Sequence, residues 1–118
     1  MKKMYIQTYG CQMNQYDSER IAQVMGRANY TLTDEPGNAD LILLNTCSVR
    51  DKAEQKVYSA LGTWREIKQQ KSSVIIGVGG CVAQQEGDRL LKRIPYLDLV
   101  FGTHNIHKLP EMIEQVEF

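Results

Sequence analysis

Residues 41–44 read Leu-Ile-Leu-Leu, an unbroken apolar run entered from Asp40 and left through Asn45-Thr46-Cys47. A strand with one wet face alternates polar and apolar residues, whereas this one has no polar side, so both of its faces must be covered. The run Val74 to Val78, closed by Gly79-Gly80-Cys81, has the same character. Such strands belong to parallel sheets, whose right-handed crossovers lay helices on both faces. The chain supplies those helices. Ile21, Val24, Met25 and Ala28 fall at i, i+3, i+4 and i+7, with Asn14 or Asp17 as the expected cap. Ala53, Val57, Ala60, Leu61, Trp64 and Ile67 mark a long helix between about Asp51 and Gln70. A shorter helix carries Leu90, Leu91 and Ile94 and is stopped by Pro95, and a last one starts near Pro110 with Met112, Ile113 and Val116 inward. Three more strands are predicted over residues 4–10, 30–33 and 97–101, the second closed by the turn-forming run 34–38. At 118 residues the chain fits one domain able to bury roughly two-thirds of its unfolded surface. The pattern predicts a doubly wound α/β fold, a five-stranded parallel sheet in the flavodoxin-like order 2-1-3-4-5 with helices on both faces.

That order sets strands 1, 3 and 4 side by side, and these are the strands that run into Cys11, Cys47 and Cys81, the three cysteines of the chain. Parallel strands finish at one edge, so the three thiols are expected at the crevice where ligands bind in such folds. Neighbouring strands lie about 4.8 Å apart, a gap that a metal ion or small cluster can bridge. A lone cysteine is commonly a small buried hydrophobe, but three at corresponding strand ends point to metal binding or catalysis. Their spacings of 36 and 34 positions lack the close pairs of zinc ribbons, which leaves zinc possible and an iron-sulfur cluster favoured. Three thiolates would leave one iron of a cubane without a protein ligand, as catalytic zinc keeps an open position. The net formal charge of such a cluster, about −1, would be stabilised by backbone N–H groups. Gly10, Gly79 and Gly80 let backbone approach closely, and the helix starts that follow each cysteine can aim N–H groups at it.

Near these cysteines, Asn14, Asn45 and Arg50 are candidates for hydrogen bonding to sulfur or touching substrate. Each also has a plainer reading: Asn14 as a helix cap, Asn45 as a tie at a strand end, Arg50 as the i+4 partner of Glu54. His104 and His107 read as solvated loop residues, and Trp64 as core packing on its helix stripe.

The 14 basic residues are balanced by 14 acidic ones, so the chain lacks the basic excess of a self-sufficient nucleic-acid binder. Lys2 and Lys3 are followed by no signal-like apolar stretch, and the longest apolar run is far too short to span a bilayer. A soluble, cytoplasmic protein with no membrane partner is expected.

Three stretches, "YGCQMNQYDSE", "ADLILLNTCSVRDKAEQKV" and "IIGVGGCVAQQEG", closely resemble the N-terminal domain of the methylthiotransferases, a family of radical S-adenosylmethionine enzymes that attach a methylthio group. The resemblance covers essentially the whole chain, residues 1–118. It implies a flavodoxin-like sheet in which Cys11, Cys47 and Cys81 hold an auxiliary 4Fe-4S cluster, with one iron open to handle sulfur. It also implies that S-adenosylmethionine and a second 4Fe-4S cluster belong to a radical domain, and tRNA contacts to a C-terminal RNA-binding domain. The C-x-x-x-C-x-x-C motif of that radical domain is not in this chain. "GCQMN" most resembles the branch that modifies C2 of N6-dimethylallyladenosine in tRNA, rather than the threonylcarbamoyladenosine or ribosomal-protein branches. The implied partners are therefore tRNA, a radical domain in cis and a sulfur donor, and the domain alone should not turn over.

Two other classes share parts of the pattern. Gly77-Val78-Gly79 resembles a dinucleotide loop, but the third glycine of G-x-G-x-x-G falls at Val82, and the first strand ends in Tyr9-Gly10-Cys11 without the carboxylates of a receiver domain. A simple electron carrier with an external fourth ligand remains an alternative use of the same three thiols.

Overall fold

A computed structural model describes residues 2–9, 12–46, 51–71, 73–80, 91–92 and 94–117. The elements run β1 (Lys2–Tyr9), α1 (Gln12–Arg27), β2 (Tyr30–Leu32), β3 (Leu41–Thr46), α2 (Asp51–Gln70), β4 (Ile75–Gly80), β5 (Leu99–Phe101) and α3 (Leu109–Glu117). Short 3-10 turns cover Pro36–Asn38 and Thr103–Lys108. All strand pairs are parallel, in the order β2-β1-β3-β4-β5. This is the order expected from the apolar runs. The short helix before Pro95 is seen at Leu91 and Lys92; the remainder of its expected span lies outside the described residues.

The two faces of the sheet build two cores, as alternate side chains of a strand must. Ile42 and Leu44 of β3 and Ile76 and Val78 of β4 pack with Leu61 and Trp64 of α2 on one side. Leu41, Leu43, Ile75, Leu99 and Phe101 pack with Ile21 and Met25 of α1 and Ile113 of α3 on the other. All four residues of the Leu41–Leu44 run are fully buried. The Trp64 ring meets Tyr5 edge-on at 6.0 Å between centroids, which confirms it as a core residue.

Several boundaries differ from expectation. Helix α1 begins at Gln12, so Asn14 and Asp17 lie inside it and neither caps it. Asp17 is instead buried, its carboxylate 3.8 Å from the Arg20 guanidinium one turn on. Strands β3 and β4 run on through Thr46 and Gly80, further than their apolar runs. Strand β5 starts at Leu99 because Leu97 N–H turns back to the Ile94 carbonyl.

The amino edge of the sheet is closed by charge. Asp40 accepts from the Lys3 backbone N–H at 2.9 Å and from the Lys71 ammonium at 3.0 Å. The Lys3 N–H bond first, and then Lys71, hold the carboxyl below its ordinary value of 3.8 against the opposing effect of burial. Asp98, just before β5, pairs with Lys68 and accepts from Ile76 N–H.

Candidate metal centre at the carboxyl edge

The strand register defines the carboxyl edge of the sheet, the edge at which the sequence led the site residues to be expected. Thr8 of β1 pairs with Asn45 of β3, and Asn45 with Gly79 of β4; one step further, Tyr9 pairs with Thr46 and Thr46 with Gly80. The three strands therefore end level with one another. Cys47 and Cys81 are the residues directly after Thr46 and Gly80, and Cys11 stands two after Tyr9, immediately before α1. Cys11, Cys47 and Cys81 themselves, with Gly10 and Arg50, lie outside the described residues. Among the described residues no group of three or more His, Cys, Asp or Glu side chains is placed to hold a metal.

The described candidates sit as follows. Asn14 is the third residue of α1, one turn from the end that faces this edge. Asn45 is 1% exposed and donates from Nδ2 to Ser18 Oγ of α1 at 3.0 Å. Ser18 Oγ in turn lies 2.8 Å from Thr8 Oγ1. This bond ties the end of β3 to the helix above it. Thr8 and Ser18 carried no signal in the sequence, because their partners are 10 and 27 positions away from Ser18.

Gly79 has a partner of its own. A Cβ at this position would stand 2.1 Å from the Phe101 ring, which covers the same face from β5. The absent side chain is therefore required by packing across the β4–β5 pair. Gly77 repeats the device one step back, where a Cβ would meet Leu43 and Leu99 at 2.9 and 3.0 Å. Gly80 extends β4 to the edge. His107 is exposed in the 3-10 turn after β5, and His104 belongs to the same turn.

Chemically, the edge offers level strand ends that each lead into a thiol, and the N-terminus of a 16-residue helix that starts beside one of them. Soft sulfur donors of this number suit zinc or an iron-sulfur cluster. A cavity of about 480 Å³ lies at the opposite, amino edge, lined by Lys2, Tyr30, Asn29 and Glu114 among others, far from the cysteine-bearing ends.

This fold places the chain among flavodoxin-like α/β proteins. A short-chain flavodoxin associated with a bacterial microcompartment superposes over the whole of both chains with a TM-score of 0.64 at 10% identity, a likeness of fold alone. Residues 3–102 match the model of the uncharacterized protein family UPF0004, and the chain belongs to that family. It is also similar to the tRNA-2-methylthio-N(6)-dimethylallyladenosine synthases of Acinetobacter baylyi and Geobacter sulfurreducens, each 57% identical over 116 residues. The same enzyme of Aliivibrio fischeri is 56% identical over 115 residues. These matches take in 97–98% of this chain but only 24–26% of the relatives, so the chain spans about a quarter of their length, at the N-terminal end. No helix among the described residues is long and apolar enough to cross a membrane.

Proposed function

We propose that this chain is the auxiliary cluster domain of a cytoplasmic tRNA methylthiotransferase, one that adds a methylthio group to C2 of N6-dimethylallyladenosine in tRNA. The observation that carries the reading is the common level at which β1, β3 and β4 end, each leading into a cysteine. The kinship with synthases of that name supplies the reaction class. Cys11, Cys47 and Cys81 would hold a 4Fe-4S cluster by their thiolates. When bound, that cluster supplies one iron free of protein ligands, where sulfur destined for the base can be held.

The chain's own residues would do the rest. The N-terminus of α1 directs backbone N–H groups towards the negative charge of the site. Gly80, at the end of β4, and Gly10, next to Cys11 in sequence, would let backbone come close to the group, while Asn14 and Arg50 stand near enough in sequence to contact bound sulfur or the incoming base. Radical chemistry with S-adenosylmethionine, the second cluster and the main tRNA grip would come from segments corresponding to the other three-quarters of the relatives' length, with a sulfur donor as a further partner. The domain by itself should therefore bind a cluster without turning over.

The test is a ligand-by-ligand comparison after anaerobic reconstitution. Cys11→Ala, Cys47→Ala and Cys81→Ala should each retain far less iron than the parent. Full retention in Cys47→Ala would remove the three-thiolate site. In the parent, methanethiolate should perturb one iron environment by Mössbauer spectroscopy and leave the others unchanged. No perturbation at any iron would favour an electron-transfer module over a sulfur-handling one.

A further inference from the structure

We propose that the edge of β1 left open beyond β2, along Ile6 to Thr8, is a docking groove for an extended, positively charged peptide segment that adds a strand to the sheet. Strand β1 has eight residues, but β2 pairs with only three of them, Lys2, Lys3 and Met4. Thr33, just after β2, still reaches the Met4 carbonyl with its N–H at 2.9 Å. The chain then crosses to β3, which lies on the other side of β1. Among the described residues no strand continues alongside β1 past that point on the β2 side.

The direction of the open backbone groups follows from the bonds their neighbours make. Lys2 N–H donates to the Asn29 carbonyl at 3.3 Å and the Met4 carbonyl accepts from Thr33, so the even-numbered residues of β1 face β2. Asp40 N–H donates to the Lys3 carbonyl at 2.7 Å, so the odd-numbered residues face β3. Alternation along the strand carries the N–H and C=O of Ile6 and of Thr8 to the uncovered side. A row of such groups is a template for one more strand.

Beside this edge lies a groove of about 260 Å³. It is lined by Ile6 and Ala22, both half-buried, and by Leu32, which is 61% exposed at the end of β2. Edge strands ordinarily carry charge that discourages pairing, whereas an exposed leucine invites an apolar partner. Among the described residues the charged groups that line the groove are Glu19 of α1 and Asp34 after β2, and both are acidic. They complement lysine or arginine and repel a nucleic-acid backbone. They also oppose a second copy of this chain, because two copies paired through the same edge would set acid against acid.

Titration of the isotope-labelled chain with the peptide Lys-Val-Arg-Val-Lys-Val-Arg, blocked at both ends and followed by NMR, tests the groove. The amide signals of Ile6 and Thr8 should shift saturably, and those amides should exchange with solvent more slowly in the complex. Replacing the central valine of the peptide by proline, which removes a donor and breaks the strand, should weaken binding on the order of tenfold. Leu32→Ser, at an exposed position, should weaken it as well. Glu19→Lys together with Asp34→Lys should weaken the basic peptide roughly fivefold and favour a counterpart with glutamate in place of each lysine and arginine. No saturable shift at Ile6 or Thr8 with millimolar peptide would overturn the proposal, as would equal binding of the proline peptide, or of the glutamate peptide by the parent chain. A concentration-dependent dimer that protects the Ile6 amide would overturn it too, by assigning the edge to a second copy.

Discussion

Gly79 shows how a residue can be chosen by a neighbour that is distant in sequence. Phe101 fills the space that a Cβ would need, and its ring is 2% exposed with little room to retreat. Gly79→Ala should overpack this corner and cost about 1–3 kcal/mol in denaturant melts. In a Phe101→Leu background the same change should cost clearly less, because the clashing ring is gone. Equal costs in both backgrounds would show that the glycine is retained for another reason. In the sequence, this glycine reads only as a place where backbone can come close. That much is legible locally, but the identity of what comes close depends on β5 lying next to β4. Ser18 was hidden in the same way: a serine on a helix signals nothing until Thr8 and Asn45 are brought beneath it.

At the scale of elements, β3 and β4 were legible because a run without polar residues has few folded alternatives, and their order followed from doubly wound topology. The start of α1 was not. Asn14 and Asp17 are good capping residues, but the helix begins directly after Cys11, and Asp17 finds Arg20 one turn along. Polar residues of a first turn resemble a cap when the preceding strand's end is not yet located. The amino ends of β1, β3 and β4 meet at Asp40, which accepts from Lys3 of β1 and from Lys71 ahead of β4. Its folded-state pKa is depressed below 3.8, so its contribution is present above that value and is lost as pH falls through the folded-state pKa. Asp40→Asn should therefore lower the melting temperature near neutral pH, with the gap from the parent narrowing as the solution is acidified below pH 3.8. A gap that widens on acidification would contradict the sign of the shift.

For the whole molecule, the proposed function makes the level ends of three strands a platform for a small inorganic group, and the equal numbers of acidic and basic residues leave it without the basic excess of a surface for polyanions. Titration of this chain with an anticodon stem-loop should give no more than non-specific affinity, in the range of about 10⁻⁴ to 10⁻⁶ M and falling with salt. Tight, sequence-selective binding would relocate the tRNA recognition surface to this domain. The central claim is that Cys11, Cys47 and Cys81 hold one cubane cluster, and iron and acid-labile sulfide per chain measure it most directly. After anaerobic reconstitution about four of each per chain are expected, held by its three cysteines. Iron near zero with zinc bound instead, or about two irons with two sulfides, would contradict it.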